Sequence, residues 1–286
     1  MLISTVSANA AHYYGDKAFD YLASVGFRAI DYSYTESGYF PFKGLYTKSN
    51  GEFDAFFEKE AKLIREAGLM VGQAHAPFPT WPESNDPDEL AFMLAAIKRS
   101  IRATAILGGK YLVIHCAMLA GWGKDPDPQH TEEENTRIFA ELLKAAHEYG
   151  VPIALENMPL DYIPSSSPEQ LVRMIDTMND PEYFVACLDT GHANLTQTKV
   201  TCADFVRALG SRLKCLHVHD NTGHWDEHAC PFTGNIDWPA FTQALRDVGY
   251  AGTMSLETSA KRFPNAELYD QYERLCFRVA SQLTRL

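Results

Sequence analysis

Short apolar runs alternate along the chain with longer segments of helical periodicity. The eight apolar runs begin at Leu2, Arg28, Leu69, Tyr111, Pro152, Tyr183, Lys214 and Gly252. Each run is almost continuously apolar, as is typical of parallel strands that are buried on both faces. The pattern therefore predicts eight β-strands separated by helices.

The segments between these runs carry the features of amphipathic helices. Phe53, Phe57 and Ile64 recur on one face of the segment that precedes the third run. Helix starts with a capping box are predicted at Thr131, in "TEEE", and at Ser167, in "SPEQ". Eight strand–helix units in 286 residues predict one domain, 1–286, folded as a single (β/α)8 TIM barrel of parallel strands. An open doubly wound sheet is the alternative, but no GxGxxG or P-loop motif follows any run.

Composition narrows the class of partner and the compartment. A formal charge of −12 disfavours nucleic acid as a partner, because proteins that bind it usually present basic surface. Six scattered cysteines without a CxxC motif indicate a reducing compartment rather than a disulfide framework. No apolar stretch approaches the roughly 20 residues that span a bilayer, so we expect no membrane partner and a cytoplasmic location.

Candidate chemistry lies at the ends of the predicted strands, where TIM barrels carry their active sites. Glu156, Asp189, His217 and Glu257 close strands five to eight, which are neighbours around a barrel. Three carboxylates and one imidazole, with no lysine or arginine within these strand ends, form an oxygen-rich anionic set. Such a set predicts one divalent metal ion, most favourably Mn²⁺, with Co²⁺, Mg²⁺ and Zn²⁺ as alternatives. A rim of salt bridges is the competing interpretation.

Five motifs carry a resemblance to a known family: "ALENMP" at Ala154, "CLDTGHANL" at Cys187, "HVHD" at His217, "DEHACPFTGNIDW" at Asp226 and "SLET" at Ser255. Over its whole length the chain resembles the xylose-isomerase-like superfamily of TIM barrels. That superfamily includes the sugar phosphate isomerase/epimerase group and the type-IV AP endonucleases. The resemblance implies that the same four residues bind a catalytic divalent metal, which agrees with the set reached from strand order.

Six further polar residues are predicted to contact substrate: His75, His115, His192, His219, Asp226 and His228. All of them except His219 also match the additional ligands with which the superfamily's nucleases hold three zinc ions. At the position of His219 the family more often has lysine. Several have plainer alternatives. Asp226 and His228 could form a surface loop pair, His75 and His115 could be satisfied rim residues, and His219 could simply pair with Asp220.

These observations predict a metal-dependent isomerase or epimerase that acts on a sugar or a related polyol ketone. Proton transfer through a metal-stabilised enediolate would use Glu156 and Glu257 as the two catalytic acid–base groups. The alternatives are a lyase on the same scaffold, of the inosose dehydratase or C-glycoside-cleaving type, and an AP-endonuclease-like phosphodiesterase.

The loops around the predicted site favour a small carbohydrate over DNA as the partner. The loops after strands three and four, 75–89 and 118–130, are acidic, proline-rich and aromatic. The aromatic stretch 32–46 has two interpretations, a packed surface loop or a lid over a sugar. Relatives often form dimers or tetramers, so the resemblance also allows a homo-oligomer.

Overall fold

Parallel strands organise the chain. The computed structural model describes residues 1–34, 43–77, 86–117, 127–195, 200–260 and 263–286. The strands are β1 (Ile3–Thr5), β2 (Ala29–Ser33), β3 (Met70–His75), β4 (Leu112–Ile114), β5 (Ile153–Glu156), β6 (Phe184–Asp189), β7 (Leu213–His217) and β8 (Met254–Leu256). Six of them form one parallel sheet in the order β2-β3-β4-β5-β6-β7, and β1 pairs in parallel with β8. Isolated parallel bridges, Val6–Asp31 and Val218–Leu256, lie between the two sheets. The predicted α/β class with parallel strands is confirmed.

Helices separate the strands along the chain. They are α1 (Ser7–Tyr14), α2 (Ala18–Val25), α3 (Lys43–Tyr46), α4 (Asn50–Glu66), α5 (Pro87–Leu107), α6 (Pro128–Tyr149), α7 (Pro168–Met178), α8 (Thr190–Leu195), α9 (Cys202–Leu209), α10 (Trp238–Asp247) and α11 (Ala266–Leu283). Within the described ranges, every helix is too short or too polar to cross a lipid bilayer.

One predicted helix start is confirmed and one is wrong. Ser167 caps α7 through a reciprocal capping box with Gln170, as "SPEQ" predicts. The predicted start at Thr131 is misplaced, because α6 begins at Pro128 and the side chain of Asp127 accepts a hydrogen bond from the backbone of His130. Proline already has the φ angle of a first helical residue, so the Asp-Pro pair starts the helix one turn earlier.

The two faces of the strands build two separate apolar clusters. The larger cluster fills the space between strands and helices. The smaller one consists of Val113, Ala154, Val185, Cys187 and Cys215. Successive side chains of a strand point to opposite faces, so residues two positions apart share a face. Two positions beyond members of the smaller cluster lie His115, Glu156, Asp189 and His217. Strand periodicity therefore directs these four side chains to the same interior.

The described part of the aromatic stretch 32–46 is packed into the core. Tyr34 is fully buried, and its hydroxyl donates to the carbonyl of Ser100 at 3.1 Å. Tyr46 is also buried and its ring lies 5.7 Å from that of Phe53. These residues fit the packed-loop interpretation. The rest of the stretch, 35–42, lies outside the described residues, so the lid interpretation stays a prediction there.

A buried carboxyl group on α11 was not anticipated from the sequence. Glu273 is fully buried, and neither of its carboxylate oxygens has a well-formed hydrogen bond within the described chain. Burial raises its pKa from 4.5 to about 7, and the nearby hydroxyls of Thr5 and Tyr269 oppose that shift only in part. Because the folded pKa exceeds the unfolded one, this group destabilises the fold increasingly as the pH rises from 4.5 to 7.

The change Glu273→Gln is expected to stabilise the protein at pH 8 by up to about 3 kcal/mol, since 1.36 kcal/mol corresponds to one pKa unit. At pH 4.5 we expect little difference, because Glu273 is then protonated in the folded state and only about half ionised in the unfolded state. Urea unfolding of the wild type and the variant at both pH values measures this effect. Glu267→Gln, an exposed position on the same helix, is the control. An equal gain at both pH values would show that ionisation of Glu273 is not its cause.

Candidate metal centre

The four predicted metal ligands converge. One potential ligand atom from each of Glu156, Asp189, His217 and Glu257 lies within 4.8 Å of all the others. Glu156, Asp189 and His217 are the last residues of β5, β6 and β7, and Glu257 follows β8 directly. Parallel register places Asp189 opposite His217. The strand-order prediction therefore identified residues that meet at one point.

His217 lies at the centre of this group. Its Nδ1 is 2.9 Å from Oε1 of Glu156 and 3.5 Å from Oε2 of Glu257. Its Nε2 is 3.0 Å from Oδ2 of Asp31 on β2. Burial disfavours the charged imidazole, but the surrounding acidic groups, Glu156 and Glu257 among them, raise the pKa of His217 well above its usual value. The surroundings of His217 therefore favour positive charge on its ring.

The two glutamates differ in environment. The Glu156 side chain is 1% exposed, whereas that of Glu257 is 23% exposed. Burial would raise the pKa of Glu156, but His217 and His115 hold it well below its usual value. For Glu257, burial raises the pKa and the two nearby imidazoles, of His217 and His228, offset only part of that rise. Glu257 is therefore the more accessible and the more basic of the pair.

His75 and His115 lie on the other side of Glu156. Their Nε2 atoms are 3.4 Å and 3.1 Å from Oε2 of Glu156, and 3.2 Å from each other. His75, Glu156 and His217 also satisfy the geometry of a potential cation-binding group. Glu156 could thus offer its two oxygens to two different neighbours.

A second cluster lies beside the first. His219, Asp226 and His228 each place a potential ligand atom within 4.8 Å of the others. Oδ2 of Asp226 lies 3.0 Å from Nε2 of His228 and 3.4 Å from Nε2 of His192. Burial opposes the charge on both imidazoles, but the acidic neighbours raise the pKa of His192 to about 10 and that of His228 to about 9. The loop pair Asp226/His228 therefore faces the site.

His219 does not pair with Asp220, so that alternative for His219 is wrong. Its Nε2 lies 2.9 Å from Oδ2 of Asp189. Asp220 instead accepts the indole N–H of Trp238 at 2.9 Å. The glycine of "DTGH" makes this arrangement possible, because a side chain at Gly191 would collide with the ring of His219.

Asn157, which follows Glu156 directly, was not predicted as a site residue. Its side chain donates to the carbonyl of Asp189 at 3.0 Å and accepts from the Asp189 backbone N–H at 2.7 Å. Its backbone carbonyl oxygen lies 2.8 Å from Nδ1 of His192. Asn157 thus holds Asp189 and His192 in place. Its position beside Glu156 in "LENMP" was the available signal.

The donor set suits a divalent cation. Among the described residues, no lysine or arginine lies within ion-pair distance of Glu156, Asp189, Asp226 or Glu257, and their charged neighbours are histidines. Buried carboxylates need compensation by a counter-charge or a metal. Hard oxygen donors with one imidazole match Mn²⁺, Mg²⁺ or Co²⁺. The competing interpretation, a rim of lysine and arginine salt bridges, is not supported by these described residues.

Comparison with known sequences identifies the family. Residues 19–275 match the xylose isomerase-like TIM barrel family, and the chain belongs to it. An uncharacterised protein of Methanocaldococcus jannaschii is 27% identical over 188 residues, which cover 64% of this chain and 62% of that protein, or less than two thirds of its length. The L-ribulose 3-epimerase of Methylomonas sp. is 29% identical, and the match covers 72% of this chain and 70% of that protein. A probable endonuclease 4 of Methanoculleus marisnigri is 27% identical, and the match covers 64% of this chain and 68% of that protein.

Solved structures share the fold. The D-psicose 3-epimerase from Clostridium cellulolyticum H10, determined with D-tagatose, superposes with a TM-score of 0.77. It is 16% identical, and the match covers 99% of both chains. The IOLI protein, determined with a bound zinc atom, has a TM-score of 0.74 and 18% identity, with coverage of 99% of this chain and 96% of that one. Both support the TIM-barrel assignment.

Proposed function

We propose that the protein is a divalent-metal-dependent epimerase or isomerase that acts on a small sugar or a related polyol ketone. The observation that carries the proposal is the convergence of Glu156, Asp189, His217 and Glu257 on one point. The similarity to a curated L-ribulose 3-epimerase and to a D-psicose 3-epimerase of Enterocloster bolteae supports the same class of substrate. We also propose that residues 1–286 form one closed eight-stranded barrel. The parallel bridges that connect the two sheets support this closure.

The four ligands would hold the cation at the mouth of the strands, and Mn²⁺ fits them best. When bound, a divalent ion offsets negative charge that develops on a carbonyl oxygen and so acidifies the neighbouring C–H. Glu257 and Glu156 flank Nδ1 of His217 from β8 and β5. One would remove the proton from one face of the carbon, and the other would return a proton to the opposite face.

The remaining polar residues would orient the substrate hydroxyl groups. His192 and His228 carry raised pKa values, so at neutral pH they present N–H donors. His75 and His115 contact Glu156, and His219 lies 3.7 Å from Asp226, so these four residues adjoin the two clusters and would complete a polar lining for a polyhydroxylated ligand. Such a lining supports specificity for a carbohydrate.

A panel of ketoses tests the proposal. The protein is loaded with Mn²⁺ and incubated with D-psicose, D-tagatose and L-ribulose, and the products are separated by chromatography. We expect conversion of at least one ketose to its epimer or isomer, and no conversion after the metal is removed. An elimination product would instead favour the lyase alternative, since it shares the metal site and differs in the leaving group.

A multinuclear phosphodiesterase is the second candidate, and a specific observation favours it. His75 and His115 approach one oxygen of Glu156, and His219, Asp226 and His228 form a separate potential cation site. Similarity to a probable endonuclease 4 points the same way. Elemental analysis of the purified protein separates the two functions. One metal ion per chain supports the epimerase proposal. Three zinc ions per chain, together with cleavage of abasic DNA, would support the phosphodiesterase.

A further inference from the structure

Asp31 is a fully buried carboxylate that none of the roles above uses. It lies on β2 directly after a register shift, and its Oδ2 receives three hydrogen-bond contacts from three other strands. Gln73 Nε2 donates to it at 2.7 Å and Ser255 Oγ at 3.2 Å, and Nε2 of His217 lies at 3.0 Å. The same oxygen thus collects donors from β3, β7 and β8.

The surroundings of Asp31 contain no opposite charge other than His217. No described lysine or arginine lies within ion-pair distance of it, and its Oδ1 has no hydrogen-bond partner in the part of the chain that the structure describes. A buried carboxylate in such surroundings is costly to maintain. The geometry indicates a role for this carboxylate. Asp31 contacts Nε2 of His217, whereas the other ring nitrogen, Nδ1, faces the proposed metal site.

Asp31 and Glu156 each offer a carboxylate acceptor to one nitrogen of His217, Asp31 to Nε2 at 3.0 Å and Glu156 to Nδ1 at 2.9 Å. A cation held by Glu156 and Glu257 would take the place of the proton on Nδ1, and the Asp31 carboxylate would keep the N–H on Nε2. Nδ1, which faces Glu156 and Glu257 at 2.9 Å and 3.5 Å, is then the nitrogen whose lone pair can bind a cation. A carboxylate behind a ligating imidazole also increases its donor strength.

We propose that Asp31 is a positioning residue that holds the proton of His217 on Nε2 and thereby presents Nδ1 to the metal ion. The inference rests on the metal site of the proposed function. It adds to that site a carboxylate that contacts Nε2 of His217, and it assigns the coordinating nitrogen.

Metal affinity of the full-length protein tests the proposal without recourse to activity. Asp31→Asn keeps the shape of the side chain and removes its charge. We expect it to weaken Mn²⁺ binding, measured by calorimetry, by roughly 10- to 100-fold, the range typical of carboxylates that orient a metal-binding histidine. Ser255→Ala is the matched control, because it removes another donor to the same Oδ2 and leaves the His217 contact in place. It should change the affinity by less than about threefold. Equal affinities of Asp31→Asn and the wild type would overturn the proposal.

The tautomer of His217 provides a test that needs no variant at position 31. In ¹⁵N-labelled wild-type protein loaded with Zn²⁺, the ring signals of His217, assigned with His217→Gln, should show a protonated Nε2 and a metal-bound Nδ1. A protonated Nδ1 with the metal on Nε2 would overturn the proposal. If the wild type binds neither Mn²⁺ nor Zn²⁺, the metal centre and the positioning role both fail. Normal binding with the reversed tautomer removes the positioning role alone.

Discussion

The change Glu257→Gln should lower turnover roughly 100- to 10,000-fold, the range over which general acid–base groups act, while leaving the fold intact. Glutamine has nearly the same shape and can still offer a carbonyl oxygen to a metal ion, but it cannot accept and return a proton. Glu257 is the partly exposed member of the glutamate pair, and burial raises its pKa, so it is the stronger base. Steady-state rates at saturating Mn²⁺ measure the effect.

Two controls make this result interpretable. Glu66→Gln, on the exposed face of α4, should keep full activity. The circular dichroism spectrum and Mn²⁺ stoichiometry of Glu257→Gln should match those of the wild type, which separates lost proton transfer from lost metal. If Glu257→Gln keeps more than about a tenth of the wild-type rate, Glu257 is not an essential proton-transfer group.

Removal of the metal should have an effect of similar size. A divalent ion contributes several kcal/mol of charge stabilisation in such reactions, so dialysis against a chelator should lower the rate by roughly 100-fold or more. Readdition of Mn²⁺ should restore it. Metal binding should also raise the melting temperature, because a ligand at about 100 times its Kd stabilises the fold by about 2.7 kcal/mol.

The assignment of Asp189 as a metal ligand predicts that a variant at this position behaves like the enzyme from which the metal has been removed. Asp189→Asn removes one of the buried carboxylates and should require far more Mn²⁺ for both activity and thermal stabilisation. Asp176→Asn, a surface position paired with Arg212, is the control and should behave like the wild type. A chelated wild-type enzyme with undiminished activity would contradict a metal-dependent mechanism.

The order and periodicity of the strands were sufficient to predict that the four proposed metal ligands lie close together. Glu156, Asp189 and His217 end consecutive parallel strands, and each lies two positions beyond a residue of the inner apolar cluster. Strand ends and period-two alternation are local properties of a sequence, and together they determine which side chains can converge.

Contacts over long sequence separations could not be predicted in the same way. Asp31 lies 186 residues from His217 along the chain, and the sequence shows only that an aspartate follows two apolar residues. The burial of Glu273 depends on how α11 packs, and its segment contains many polar residues that are exposed. The start of α6 was misplaced because the "TEEE" pattern competes with an Asp-Pro pair one turn earlier.

Solvent hydrogen exchange tests the central claim most directly. The Mn²⁺-loaded protein is incubated in D₂O with the ketose that it converts, and the product is examined by NMR. Proton transfer between two glutamates predicts one deuterium at the carbon whose configuration or carbonyl position changes. With Glu257→Gln the labelled product should form at the strongly reduced rate expected for that variant. A converted product that carries no solvent deuterium would contradict proton transfer through groups that exchange with water.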